Sequence, residues 1–184
     1  MTWNRIARRV RVPLGFAFAA LYFWLARPAL WSLASGSAVA ALGLCIRALA
    51  SGTVRKNEEL ATSGPYAYTR NPLYLGSIVI AAGFALAARS WMVVAALVIL
   101  FVAIYLPVIR GEENFLREHF AAFAEYERRV PRLIPWPGKS MNPETGADHA
   151  FSRGLYLQHR EYNALAGALA MIALLAVKLL WFSH

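Results

Sequence analysis

Acidic residues are scarce in this chain. Ten Asp+Glu stand against 19 Lys+Arg in 184 residues, a formal net charge of +9. Charge of either sign is thin, at 16% against the roughly 25% of a soluble domain. Cysteine is reduced to Cys45, which excludes an intrachain disulfide and a cysteine-based metal site. The four histidines and ten acids show no metal-ligand spacing, so no metal is expected. No glycine-rich strand–turn–helix fingerprint occurs, which argues against a soluble Rossmann-type enzyme.

Apolar residues are abundant: 59% of the chain, with a mean hydropathy of +0.44. A soluble domain of this size has too much surface for its volume to hide them. A disordered chain would be poor in them. A nucleic-acid binder would share the positive charge but not this apolar content, so no nucleic-acid partner is expected. The expected fold class is an all-α integral membrane protein among membrane lipids.

A bilayer core needs about 20 apolar residues per helical crossing. Five runs approach that length: Val12–Trp31, Leu33–Leu49, Leu73–Ala88, Trp91–Ile109 and Tyr162–Phe182. The first reads as a crossing rather than a cleaved leader, because it is long and carries Arg27-Pro28. Five crossings put the N-terminus, Ser51–Pro72 and Arg110–Glu161 on one side. With Arg47, that side holds 16 of the 19 basic residues and all ten acids. The excess of basic residues makes it the cytoplasmic side of an inner membrane, with a cytoplasmic N-terminus. Arg27, Arg89 and Lys178 remain for the other face.

Arg89-Ser90 is all that joins the third and fourth runs, which predicts a tight helical hairpin. Gly36, Ala40 and Gly43 allow close helix packing. Glu112–Val130 reads as one amphipathic interfacial helix, followed by extended chain from Pro131 to Pro137 with Trp136 as an anchor.

Two segments bear chemistry. In the first, KNEELATSGPYAYTRNPLYLG from Lys56 to Gly76, Ser63-Gly64-Pro65 marks a turn and Asn71-Pro72 marks a helix start. The result is either a helix N-terminus suited to an anion or an interfacial tyrosine belt. In the second, Glu112 and Glu113 follow Arg110 and Gly111 at the membrane boundary, where such charges are costly unless paired or used. A third cluster, Gln158–Asn163, places His159, Tyr162 and Asn163 on roughly one face at the mouth of the last run. It suits an acceptor head group or, more plainly, a helix start with snorkelling charges.

The order GPYAYTRNPLYLG, then EENFL, then RRVPRLIP resembles the isoprenylcysteine carboxyl methyltransferase family, which is related to the phospholipid N-methyltransferases. The resemblance implies an S-adenosylmethionine-dependent enzyme with its cofactor site on the cytoplasmic side. It implies a lipophilic acceptor drawn from the bilayer: an isoprenylcysteine-like carboxylate, a lipid head group or another lipophilic small molecule. Carried over by position, Glu58, Glu59, Leu60, Ala61, Gly64 and Tyr66 would line the cofactor. Asn71, Pro72, Leu73 and Tyr74 would hold it at the third helix, and Glu112 would meet it across the hairpin. Arg110 would orient the acceptor, and Glu113 or His119 would take a proton from an amine acceptor. His159, Tyr162 and Asn163 lie beyond the family pattern and are candidates for the acceptor site from their shared helix face alone.

Two departures stand out: Asn71 replaces the family histidine, and Ala121 replaces a glycine after Phe120. Asn71 keeps hydrogen bonding but cannot carry charge. The chain reads as one transmembrane domain, 1–184, with the methyltransferase motifs in 50–136 and an extension with the last helix in 137–184. The alternatives are an NADPH-dependent membrane reductase of sterol-reductase type, using Arg55, Lys56 and Arg70 for a 2′-phosphate, and a non-enzymatic scaffold.

Overall fold

The computed structural model describes residues 18–55, 59–141 and 151–182. These residues are helical throughout, apart from turns and one isolated bridge between Trp136 and Lys139. Residues 18–25 form helix α1. It is followed by α2 (Leu30–Thr53), a 3₁₀ turn (Gly64–Ala67), α3 (Pro72–Ala88) and α4 (Trp91–Leu100). A π-helical turn (Phe101–Tyr105) leads into α5 (Leu106–His119), then α6 (Phe123–Arg129), α7 (Arg153–Gln158) and α8 (Tyr162–Phe182).

Three helical spans are long and apolar enough to cross a membrane: Leu30–Thr53, Trp91–His119 and Tyr162–Trp181. The protein is an all-α integral membrane protein. Of the other two expected crossings, α3 has 17 residues and the first run begins outside the described residues. That first run does not reach Trp31. Helix stops after residue 25, Arg27 and Pro28 lie in the gap, and Trp31 belongs to α2. Proline disfavours helical backbone at the residue before it, which explains the break.

Helices α2 and α3 touch through their backbones. A methyl group on Gly36 would come within 2.5 Å of the Gly83 carbonyl, and one on Gly43 within 2.7 Å of the Gly76 carbonyl. The small residues noted in α2 thus serve close packing, the usual means by which helices associate where lipid offers no hydrophobic drive.

The hairpin expected at Arg89-Ser90 is present, with Arg89 in left-handed backbone (φ 51) ending α3. At this end of the bundle the Arg27 N–H donates to the Ala88 carbonyl, and Lys178 donates to the carbonyls of Phe23 and Trp24. Arg89 lies 5.3 Å from the Trp31 ring. The three basic residues assigned to one face therefore share one end. Trp24, Trp31, Trp91 and Trp181 are all exposed there, the composition of a membrane-interface belt.

The helix from Trp91 to His119 is continuous but widened at Phe101–Tyr105. Pro107 lacks an N–H and its ring clashes with the carbonyl one turn back. The Leu106 N–H accordingly donates five residues back, to Phe101. The single amphipathic helix expected over Glu112–Val130 is corrected to two pieces, the end of α5 and all of α6. Phe120 is extended between them (φ −126, ψ 108). The bend lets Phe123, Tyr126 and Val130 bury against Leu60, Leu116 and Met141, and burial of that apolar area outweighs the lost helical hydrogen bonds.

Candidate functional site

The site lies at the end of the bundle opposite Arg27 and Lys178. It starts from the Gly64–Ala67 turn, where Gly64 takes a positive φ of 56° that suits glycine. The turn buries Tyr66 beside Ala50, Val54 and Ala61, with Leu73 packed against them. The Tyr126 hydroxyl donates to the Tyr66 carbonyl at 2.7 Å, and the Met141 N–H donates to the Ala67 carbonyl at 3.0 Å. Asn71 then caps α3 in non-helical backbone, and Pro72 takes the first helical position.

Asn71 and Glu113 meet here. The Asn71 amide donates to Glu113 Oε1 at 3.2 Å and to the Arg132 carbonyl at 3.0 Å. Arg132 holds Glu113 Oε2 with Nε at 2.9 Å and Nη2 at 2.7 Å. Arg70 lies 3.3 Å from Glu113 and donates to Glu127 at 2.7 Å, and Arg117 donates to both Glu127 oxygens at 3.0 Å. Both arginines also lie over the Phe123 ring. Glu113, 2% exposed, thus carries donors from three side chains. Its neighbours commit it to joining the Asn71 corner to α5 and the Pro131–Arg132 segment.

Glu112, one residue earlier, is exposed. Burial raises the Tyr66 hydroxyl far above the ordinary phenol range, and Tyr126, Glu112, Tyr74 and Glu161 raise it further. Tyr74 leaves the first turn of α3 and packs edge-on against Tyr105 at 5.7 Å, at the end of the π-turn. Of the expected cofactor residues, Tyr66 packs with Ala61 and Leu73, Gly64 forms the turn before it, and Tyr74 follows in the first turn of α3, while Glu112 is exposed on α5. Burial raises the Tyr126 hydroxyl as well, opposed by Arg70 and reinforced by Glu113.

Other expected residues lie apart. Glu58 falls outside the described residues. Glu59 is 3.7 Å from Arg55, and Leu60 joins the Phe123 cluster. Arg110 is exposed on α5. His119 is exposed and stacks on Phe115 at 4.0 Å. His159 Nδ1 lies 3.1 Å from the Ser51 carbonyl, Tyr162 is exposed, and Asn163 lines a cavity among the helices. Among the described residues no three His, Cys, Asp or Glu side chains gather to hold a metal.

Sequence reasoning missed the pair Arg47–Glu161, in which Arg47 Nε and Nη2 grip both carboxylate oxygens at 2.9 and 2.8 Å. The available signal was an arginine in an apolar helix, which marks a functional position by default.

The described residues thus form an all-helical membrane protein whose corner of turn, helix start and paired glutamates lies at one end of the bundle. The phospholipid methyltransferase model matches residues 10–122, more than half of the chain, and the chain belongs to that family. It is 43% identical over 81 residues to the cobalt-zinc-cadmium resistance protein CzcN of Cupriavidus metallidurans. It is 38% identical over 81 residues to the nickel-cobalt-cadmium resistance protein NccN of Alcaligenes xylosoxydans xylosoxydans. Each match covers 44% of this chain and 38% of the relative. No solved structure matches.

Proposed function

We propose that the protein transfers a methyl group from S-adenosylmethionine to a lipophilic acceptor at the cytoplasmic face of the inner membrane. The acceptor class is an isoprenylcysteine-like carboxylate or a lipid head group. The observation that carries this reading is the match to the phospholipid methyltransferase family over residues 10–122, supported by the corner that Tyr66 and Tyr74 form at the start of α3.

The donor set suits a sulfonium ligand: aromatic faces and a carboxylate favour a cation. When bound, S-adenosylmethionine supplies the activated methyl. Transfer is an in-line displacement, so the protein's work is to position the reactants and exclude water. Tyr66, Tyr74 and Glu112 would hold the cofactor, with Gly64, Pro72, Leu73 and the Glu58–Ala61 segment as walls. Asn71 and Glu113 would fix the angle at which α3 enters. Arg110, His159, Tyr162 and Asn163 would meet the acceptor. Arg70, counted for a 2′-phosphate in the reductase alternative, has its guanidinium beside Glu113 and Glu127 instead. A part in metal resistance, the role in the relatives' names, would run through the methylated product.

The test is thermal shift of the detergent-purified protein with S-adenosylhomocysteine and with NADPH. Stabilisation by the first and none by the second is expected. The reverse result would sink the methyltransferase reading in favour of a reductase.

A further inference from the structure

Arg47 stands in the last two turns of α2, within a long apolar helix. Beyond its grip on Glu161, its Nη1 donates to the Ser77 hydroxyl and the Leu73 carbonyl on α3. Glu161 lies in the turn between α7 and α8, next to Arg160 in left-handed backbone (φ 54). A non-glycine residue held there marks a turn that tertiary contacts keep in place. Releasing Glu161 would therefore shift a turn and leave the helix intact.

Arg47 borders two cavities, and Glu161 borders the smaller of them. The smaller, of about 190 Å³, lies by Cys45, Ala48, Tyr156 and Leu165. The larger, of about 430 Å³, runs among α1, α2, α3, α4 and α8. Phe18, Tyr22, Phe84, Leu97 and Met171 give it apolar walls, while Arg47, Ser77 and Asn163 give it polar groups. Its volume falls within the roughly 300–1,000 Å³ of small-molecule sites. Leu73, whose carbonyl Arg47 reaches, packs against the cluster that holds Tyr66, so Arg47 links the larger cavity to the Tyr66 corner.

We infer that the larger cavity takes the tail of a single-chain lipophile whose head is an anionic oxygen group, and that Arg47 clamps that head after it displaces Glu161. The carboxylate of Glu161 already fills the guanidinium fork in the two-point geometry that such a head would adopt. Leaving Arg47 unpaired among apolar helices is costly, so exchange of one anion for another is the economical route. A neutral head offers Arg47 no replacement charge. A cationic head would be repelled by it. The inference deepens the methyltransferase reading by naming the acceptor's head-group charge, and it rests on that reading for the ligand's fate.

The experiment titrates the full chain in detergent with hexadecanoate, hexadecyl phosphate and hexadecan-1-ol by calorimetry, against empty micelles. Both anions are expected to bind about tenfold tighter than the alcohol, the scale of a charge-assisted bidentate contact. The stronger arm tells a carboxylate source from a phosphate source. Arg47→Gln should erase the preference, and Glu161→Gln should strengthen anion binding by removing the competitor. Equal binding of alcohol and anions by the wild-type chain overturns the inference. So does weakening of anion binding by both variants alike, because the pair is then a brace. S-adenosylhomocysteine binding on the same samples is read separately. Its loss with the anion preference intact refutes the methyltransferase reading alone, and the converse refutes the clamp alone.

Discussion

Glu113 is 2% exposed and shared among Asn71, Arg70 and Arg132. Glu112, its neighbour, is exposed, and its charge is felt at Tyr66. Adjacent helical positions point about 100° apart, so one turn of α5 serves two regions. One is a packed brace that joins α3, α5 and the Arg132 segment. The other is the exposed face of α5 that carries Glu112. Burial thus divides two identical side chains: one is committed to the brace, and the other, exposed, is the one proposed to meet the cofactor.

The sharpest way to break this division is to truncate each glutamate in turn. Glu113→Ala strands Arg132 and the largely buried Arg70 without their shared partner. Removing one member of a buried ion pair costs about 3–5 kcal/mol, and a large fall in thermal midpoint in detergent is expected. Glu112→Ala should leave that midpoint nearly unchanged, since exposed substitutions stay within about 0.5 kcal/mol. It should instead weaken S-adenosylhomocysteine binding about tenfold, or about 1.4 kcal/mol, read by calorimetry. If Glu112→Ala destabilises as much as Glu113→Ala, or leaves affinity untouched, the two regions are not distinct.

Much of this arrangement was legible in the sequence, and what was not has a physical cause. Apolar runs, Asn71-Pro72 and Arg89-Ser90 located α3 and its hairpin because those signals are local. The limits of the first run and the break at Phe120 were missed. At Arg27-Pro28 a local signal was present and outvoted by hydropathy. At Phe120 the bend is imposed by burial of Phe123 and Tyr126, which a helical repeat cannot reveal. Pro107 carried the sign of the π-turn that places Tyr105 against Tyr74. In the site, the paired glutamates were visible as a pair, but their separate roles depend on Arg70, Asn71 and Arg132 converging from other segments. Arg47 stood out in its helix, while its partner lay 114 residues away.

The smallest expected effect concerns the rim of the brace. Desolvation raises the pKa of Glu127, but hydrogen bonds and charge from Arg70 and Arg117 outweigh it and hold the carboxyl below the usual range. A carboxylate held low favours the folded state at any pH above the unfolded group's pKa, about 4.3 for Glu. The contribution fades as pH falls through the lower, folded value. Glu127→Gln should therefore narrow the gap in thermal midpoint between neutral and acidic buffers, with its largest cost at neutral pH and almost none at the acid end. Glu127 is 29% exposed, so solvent and salt screen the effect to well below that of Glu113→Ala. A Glu127→Gln curve that runs parallel to wild type would show that the arginine contacts at this rim do not contribute to folding.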